Sequence, residues 1–136
     1  MPHQLTNKQL EEFRKRLQAR LSELTQGVHE EVIRSDHQHF TDVAGEVHDP
    51  EEASVANLVI DVELQTIDRH VQEIREIEAA LIRIGSREFG ICIDCEQAIA
   101  LARLEANPTA ARCITCQSAY EKEQALTQTP SVHHTL

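Results

Sequence analysis

Residues 92–116 read CIDCEQAIALARLEANPTAARCITC, a C-x2-C-x17-C-x2-C array made by Cys92, Cys95, Cys113 and Cys116. These are the four cysteines of the 136-residue chain. Each CxxC pair closes a tight loop, and two such loops offer four thiolates at about 2.3 Å from one tetrahedral metal ion. Phe89-Gly90 supplies a turn at the entrance to the first loop. Two disulfides fit poorly, because the N-terminal MPHQLTNKQLEEF lacks the apolar core of a secretory signal and cytosolic thiols stay reduced. A thioredoxin-like dithiol needs a βαβ context that the sequence does not offer. Four unrelated buried cysteines would not fall into two matched pairs. The spacing therefore predicts one structural Zn2+ ion, held by an all-thiolate set that leaves no open position for catalytic water. An enzyme is not expected.

Working outward, the composition restricts the fold. Aromatic residues make up 3% of the chain, with no Trp, one Tyr and three Phe. Leu, Ile, Val and Ala carry the apolar content, which suits narrow helix–helix seams better than a large core. No run of 18 apolar residues is present, so no membrane span is expected, and the predicted compartment is the cytoplasm. The formal net charge is −10. Residues 1–40 balance six basic against six acidic groups, whereas 41–91 set four Arg against twelve Asp or Glu, a net of −8. Residues 92–136 add three basic and five acidic groups, a net of −2. Proteins that grip nucleic acid present a basic stripe to the phosphates. This chain has none, so direct sequence-specific DNA binding is not expected, and a protein partner with a basic cleft fits better.

Two long helices precede the cysteines. Thr6 with Gln9 has the capping-box pattern, and apolar residues follow at Leu10, Phe13, Leu17, Leu21, Leu24, Val28 and Val32 in steps of three and four. The pattern fades after Ser35, where DHQHFTDVAGEVH is polar and irregular. A second helix is predicted from Asp49-Pro50-Glu51-Glu52, where Asp caps and Pro suits the first helical position. Its stripe runs Ile60, Leu64, Ile67, Val71, Ile74, Ile77, Leu81 and Ile84. One stripe on each helix and a short polar link predict an antiparallel coiled-coil hairpin over 1–88, with its tip near 41–54. The predicted fold is mainly α, with this hairpin projecting from a small four-cysteine zinc-finger module at 89–136. That module is too small to hold a core unaided and draws on the metal. A terminal helix is expected after Cys113, with TPSVHHTL as a disordered tail.

The segment EFGICIDCEQAIALARLEANPTAARCITCQ at 88–117, with RLEANPTA at Arg103–Ala110 between the two CxxC pairs, resembles the DksA/TraR family of bacterial RNA polymerase-binding transcription regulators. The Asp49-Pro50 pair lies at the distance from Phe89 found in full-length members, so the resemblance spans roughly residues 5–125. It implies a monomeric regulator whose coiled coil enters the polymerase secondary channel, so that an acidic tip modulates initiation, often with the stringent-response nucleotide ppGpp. The family tip motif D-x-x-D-x-A corresponds here to Asp49, Glu52 and Ser54. Glu52 keeps the carboxylate on a longer arm, and Ser54 replaces a small apolar residue. Asp49 and Glu52 also occupy N-cap and N3 positions, so helix capping is an alternative account of both. The basic positions that hold ppGpp in the best-studied branch correspond to Glu76, Asn107 and Gln117. These repel or fail to pair with a polyphosphate, so weak or absent ppGpp synergy is expected. Arg69 and Arg103 stay basic, each with ordinary salt-bridge explanations.

Two other classes fit parts of the sequence. A thiol and zinc redox sensor would use oxidation of the cysteines to release the metal. An interaction adaptor would use the coiled coil to bind another protein. His37, His39 and His48 near the tip, and His133 and His134 in the tail, have no diagnostic metal spacing and read as solvated.

Overall fold

The computed structural model describes residues 5–44 and 50–133, with side chains described outside 37–44, 50–57, 60 and 128–133. Four helices follow in order: α1 (Asn7–Ala44), α2 (Pro50–Gly85), α3 (Leu101–Ala106) and α4 (Ile114–His133). The chain divides into two compact units, Lys15–Glu78 and the pair of segments Met1–Arg14 with Ala79–Leu136.

Within Lys15–Glu78, α1 and α2 lie antiparallel. Arg20 pairs with Glu73, whereas Glu31, further along α1, pairs with His70, earlier on α2. Leu17, Leu24 and Ile77 are buried, and Leu21, Val28, Ile67, Val71 and Ile74 are half-buried. The apolar stripes and the seam then part company. Val32 and Leu64, both on the predicted stripes, are 47% and 49% exposed, and Ser35 is buried instead. Helix geometry gives the reason. At about 100° per residue, Val32 has swung about 80° from Leu24, while Ser35 is only about 20° away. On α2, Leu64 sits about 140° from Ile77, whereas His70, Glu63 and Thr66 lie within about 40° of it. The seam thus turns polar, forming a groove of about 360 Å³ lined by Glu31, Arg34, Val62, Glu63 and Thr66. One oxygen of Glu63, Oε2, is sealed from solvent with no hydrogen-bond partner among the described residues.

Two helices run further than the sequence pattern. Helix α1 continues to Ala44, through the irregular stretch after Ser35. Helix α4 likewise runs to His133, into the tail expected to be disordered from Thr129. On α1, each residue added to a nucleated helix gains a hydrogen bond at low cost, so an apolar period is not required for continuation.

In the other unit, α1 starts on the capping box. The Thr6 N–H donates to Gln9 Oε1 at 2.9 Å, and the Gln9 N–H donates to Thr6 Oγ1 at 3.1 Å. One turn later Phe13 packs on Phe89, with ring centroids 5.3 Å apart. Phe89, Leu104, Ala80, Cys92, Ile84, Ile99 and Ala110 are buried and form the small core. Helix α2 ends in a paired closure: the Arg87 N–H donates to the Ile84 carbonyl and the Glu88 N–H to the Arg83 carbonyl. Arg87 takes the left-handed conformation there, with φ 64°, where glycine is usual. The closure turns the chain so that Phe89 points inward and the first cysteine follows three residues later.

Candidate metal centre

A miniature hairpin builds the first cysteine loop. Ile91 and Ala98 form an antiparallel pair, the Cys92 N–H donates to the Gln97 carbonyl at 2.8 Å, and the Ile99 N–H donates to the Gly90 carbonyl at 2.7 Å. Gly90, with φ 83°, permits the bend before it. Glu96 closes the loop by donating its N–H to the Cys92 carbonyl, and does so at φ 63°. The second loop is the start of α4. Cys113 stands at the N-cap: its carbonyl accepts the Gln117 N–H at 2.8 Å and its Sγ accepts the Cys116 N–H at 3.5 Å. Sulfur here does the work that a hydroxyl or carboxylate does at other helix starts.

The two loops bring Cys92, Cys95, Cys113 and Cys116 together, with all four sulfurs within 4.8 Å of one another. Sγ of Cys95 and Sγ of Cys113 are 3.8 Å apart. A tetrahedron with metal–sulfur bonds of about 2.3 Å has edges of about 3.8 Å, so the donor set fits zinc in spacing as well as in kind. Cys92 is buried, Cys113 and Cys116 are half-buried, and Cys95 faces solvent.

The electrostatics favour a cation at this point. Burial pushes the Cys92 thiol up, but backbone N–H groups of Cys95, Cys113 and Asp94 outweigh it and set it at about 6. The Gln97 N–H pulls Cys95 down, yet its hydrogen bonds with Cys92 and Cys113 and some loss of hydration leave it raised. Hydrogen bonds with Cys113 and then Cys92 push Cys116 up to about 12. The first thiolate is welcome and the later ones are resisted, because like charges crowd one site. A divalent ion removes that resistance.

Other residues singled out from the sequence fall elsewhere. Asp49 lies outside the described residues. Pro50 opens α2, as its fixed φ favours, and Glu52 and Ser54 follow in the helical backbone, with side chains outside the described set. His37, His39, His48, His133 and His134 likewise have no described side chain. Of the positions compared with a nucleotide site, Glu76 is exposed on α2. Asn107 Oδ1 is taken by the Thr109 hydroxyl at 2.8 Å, and the Gln117 amide donates to Glu121 at 2.8 Å. The Arg69 guanidinium reaches Thr66 within the same helix, and Arg103 Nε donates to the Arg112 carbonyl at 2.9 Å.

Three residues were missed. Asp94, inside the first CxxC, accepts from Arg112 Nε at 2.7 Å, and the Arg112 guanidinium lies 3.9 Å from the Tyr120 ring centre. Beside that bridge, the Ile93 N–H donates to the Ala111 carbonyl at 2.9 Å. The available signal was charge complementarity: an acid within one knuckle and a base immediately before the other.

Comparison with known proteins agrees with this geometry. Residues 87–122 match the prokaryotic dksA/traR C4-type zinc finger. The RNA polymerase-binding transcription factor DksA of Escherichia coli (strain K12) is 34% identical over 113 residues, which cover 83% of this chain and 72% of that protein. Its counterpart from Salmonella typhimurium (strain LT2) is 33% identical over the same length. The structure of transcription factor DksA2 from Pseudomonas aeruginosa shares the fold, with a TM-score of 0.72 over 88% of both chains at 24% identity.

Proposed function

The chain belongs to the DksA family of RNA polymerase-binding transcription factors, and we propose that it regulates transcription initiation by binding RNA polymerase through the secondary channel. The carrying observation is the reach of the similarity: 113 residues extend well beyond the 87–122 zinc-finger match and take in parts of both α1 and α2. Support from chemistry is independent. The region 41–91 has a net charge of −8 and the chain as a whole −10, which suits a basic cleft in a protein and not a phosphate backbone. Asp49, Glu52 and Ser54 are the tip residues that meet the polymerase. One zinc ion on Cys92, Cys95, Cys113 and Cys116 supplies a structural cross-link, and the chain acts as a non-catalytic monomer. In this reading 1–88 is the insertion element and 89–136 the zinc module. No described helix is long and apolar enough to cross a membrane. Dependence on ppGpp is weak, because Glu76 is acidic and Asn107 and Gln117 carry no charge, while both amides already serve bonds within the chain.

In vitro transcription from a ribosomal RNA promoter, with and without ppGpp, tests the reading. The expected result is a change in transcript yield on adding the protein, little altered by ppGpp. Failure to co-purify with core polymerase, together with unchanged yield, overturns it in favour of an adaptor for another partner. Asp49→Asn separates tip chemistry from capping, since Asn caps about as well as Asp. Lost activity with retained fold assigns the effect to the carboxylate charge.

A further inference from the structure

We propose that Arg112 couples metal occupancy of the four-cysteine site to the packing of α4, acting as a positioning residue between Asp94 and Tyr120. The inference rests on the zinc reading above. Arg112 immediately precedes Cys113, and its side chain is 20% exposed. Its Nε reaches back to Asp94, which sits between Cys92 and Cys95, so one side chain spans both knuckles. The same guanidinium covers Tyr120 on α4. Its backbone is held in turn, because Arg103 Nε donates to the Arg112 carbonyl.

Why this contact matters follows from the exposure of α4. Every residue from Ser118 to Thr127 is exposed, so this stretch of the helix presents no buried apolar face to anchor it. Its ties to the module include Cys116 in the first turn and Tyr120 one turn later. Both depend on where the second knuckle sits. A metal ion fixes the knuckles relative to each other, keeps Asp94 opposite Arg112, and so keeps the guanidinium over the ring. Losing the metal loosens the knuckles and frees the ring. Coupling of this kind is reciprocal, so the ring must also strengthen metal binding. A cation–π contact at a partly exposed site corresponds to a factor of about two to five in affinity. Groups that orient metal ligands typically contribute about 10- to 100-fold.

The chain has one Tyr and no Trp, so Tyr120 is a single-site reporter. Zinc content, acrylamide quenching of Tyr120 emission, and zinc affinity in competition with a chromogenic chelator are measured on the full chain. Removing zinc from the wild type is expected to raise quenching. Arg112→Ala should show that raised quenching with zinc bound, and an affinity lower by about tenfold. Tyr120→Ala, which alters an exposed residue outside the knuckles, should lower zinc affinity about two- to fivefold. Indifference of Tyr120 quenching to zinc, or unchanged zinc affinity in Tyr120→Ala, overturns the coupling while leaving the zinc site intact. A wild-type chain that takes up no zinc overturns both.

Discussion

Arg20 on α1 and Glu73 on α2 meet fork to fork: Nε donates to Oε2 at 2.8 Å and the second amino group donates to Oε1 at 3.2 Å. The pair fixes the register of the antiparallel helices beside the buried Leu17, Leu24 and Ile77. Arg20 is further held by Glu23, at 3.0 Å on its own helix. Such planar two-point pairing is geometrically selective, and a slip by one residue breaks both bonds.

Glu73→Gln should therefore destabilise the hairpin slightly, by about 0.2–1 kcal/mol, since both side chains are more than a third exposed and water screens them. The hydrogen bond from Arg20 holds the Glu73 carboxyl below its ordinary value of 4.5. A lowered folded-state value means that the contribution is present above pH 4.5 and is lost as pH falls through the folded-state value. Urea titrations at pH 7 and pH 3 check this. The wild type and variant should differ at pH 7 and converge in acid.

Glu63→Met should stabilise the same helices. Its Oε2 is shut from solvent without a partner among the described residues, and a buried polar atom left unpaired costs about 1–3 kcal/mol. A gain of about 1 kcal/mol, read as a raised urea midpoint, is the expected outcome. An unchanged or lower midpoint would mean that the carboxylate has solvent or a partner after all.

Glu96→Gly should stabilise the first knuckle. At φ 63° a side chain strains the backbone by about 1–2 kcal/mol, and glycine removes that strain while adding some flexibility to the unfolded chain. A net gain of about 0.5–1 kcal/mol is expected, checked by thermal unfolding of the zinc-loaded protein. Glu96→Val, which tolerates positive φ badly, should do the opposite.

Zinc removal should unfold most of the unit around the cysteines. Structural zinc sites contribute on the order of 10 kcal/mol to small modules, and this core has few large side chains besides Phe13, Phe89 and Leu104. Cys116→Ser should release zinc and abolish protection of the Cys92 and Ile99 amides, followed by hydrogen exchange. Amides in the middle of α1, around Leu24, should keep theirs, because their helix bonds do not involve the metal.

Much of the metal centre was readable in advance because its information is local. Two CxxC loops place their thiols through backbone turns of a few residues, and ligand identity follows from zinc chemistry. Helix starts were equally readable: the Thr6–Gln9 box is a contact over three residues, and Pro50 needs only its own ring. The hairpin seam was less so. Val32 and Leu64 continue the three-four rhythm, yet repeated steps of four after Leu24 and of three before Ile77 rotate each stripe away from its partner, and only the partner determines which residues are covered.

The sequence by itself determined the pairing of four cysteines into two CxxC loops, the two long helices and the acidic charge balance, because each depends on spacing along the chain or on summed charge. Tertiary structure decided the rest: the turn of the seam to Ser35, Glu63 and His70, the left-handed backbone at Arg87 and Glu96, and the reach of Arg112 from Asp94 to Tyr120. Those features depend on groups brought close by folding, and residues 18 apart, such as Asp94 and Arg112, leave no periodic trace of meeting.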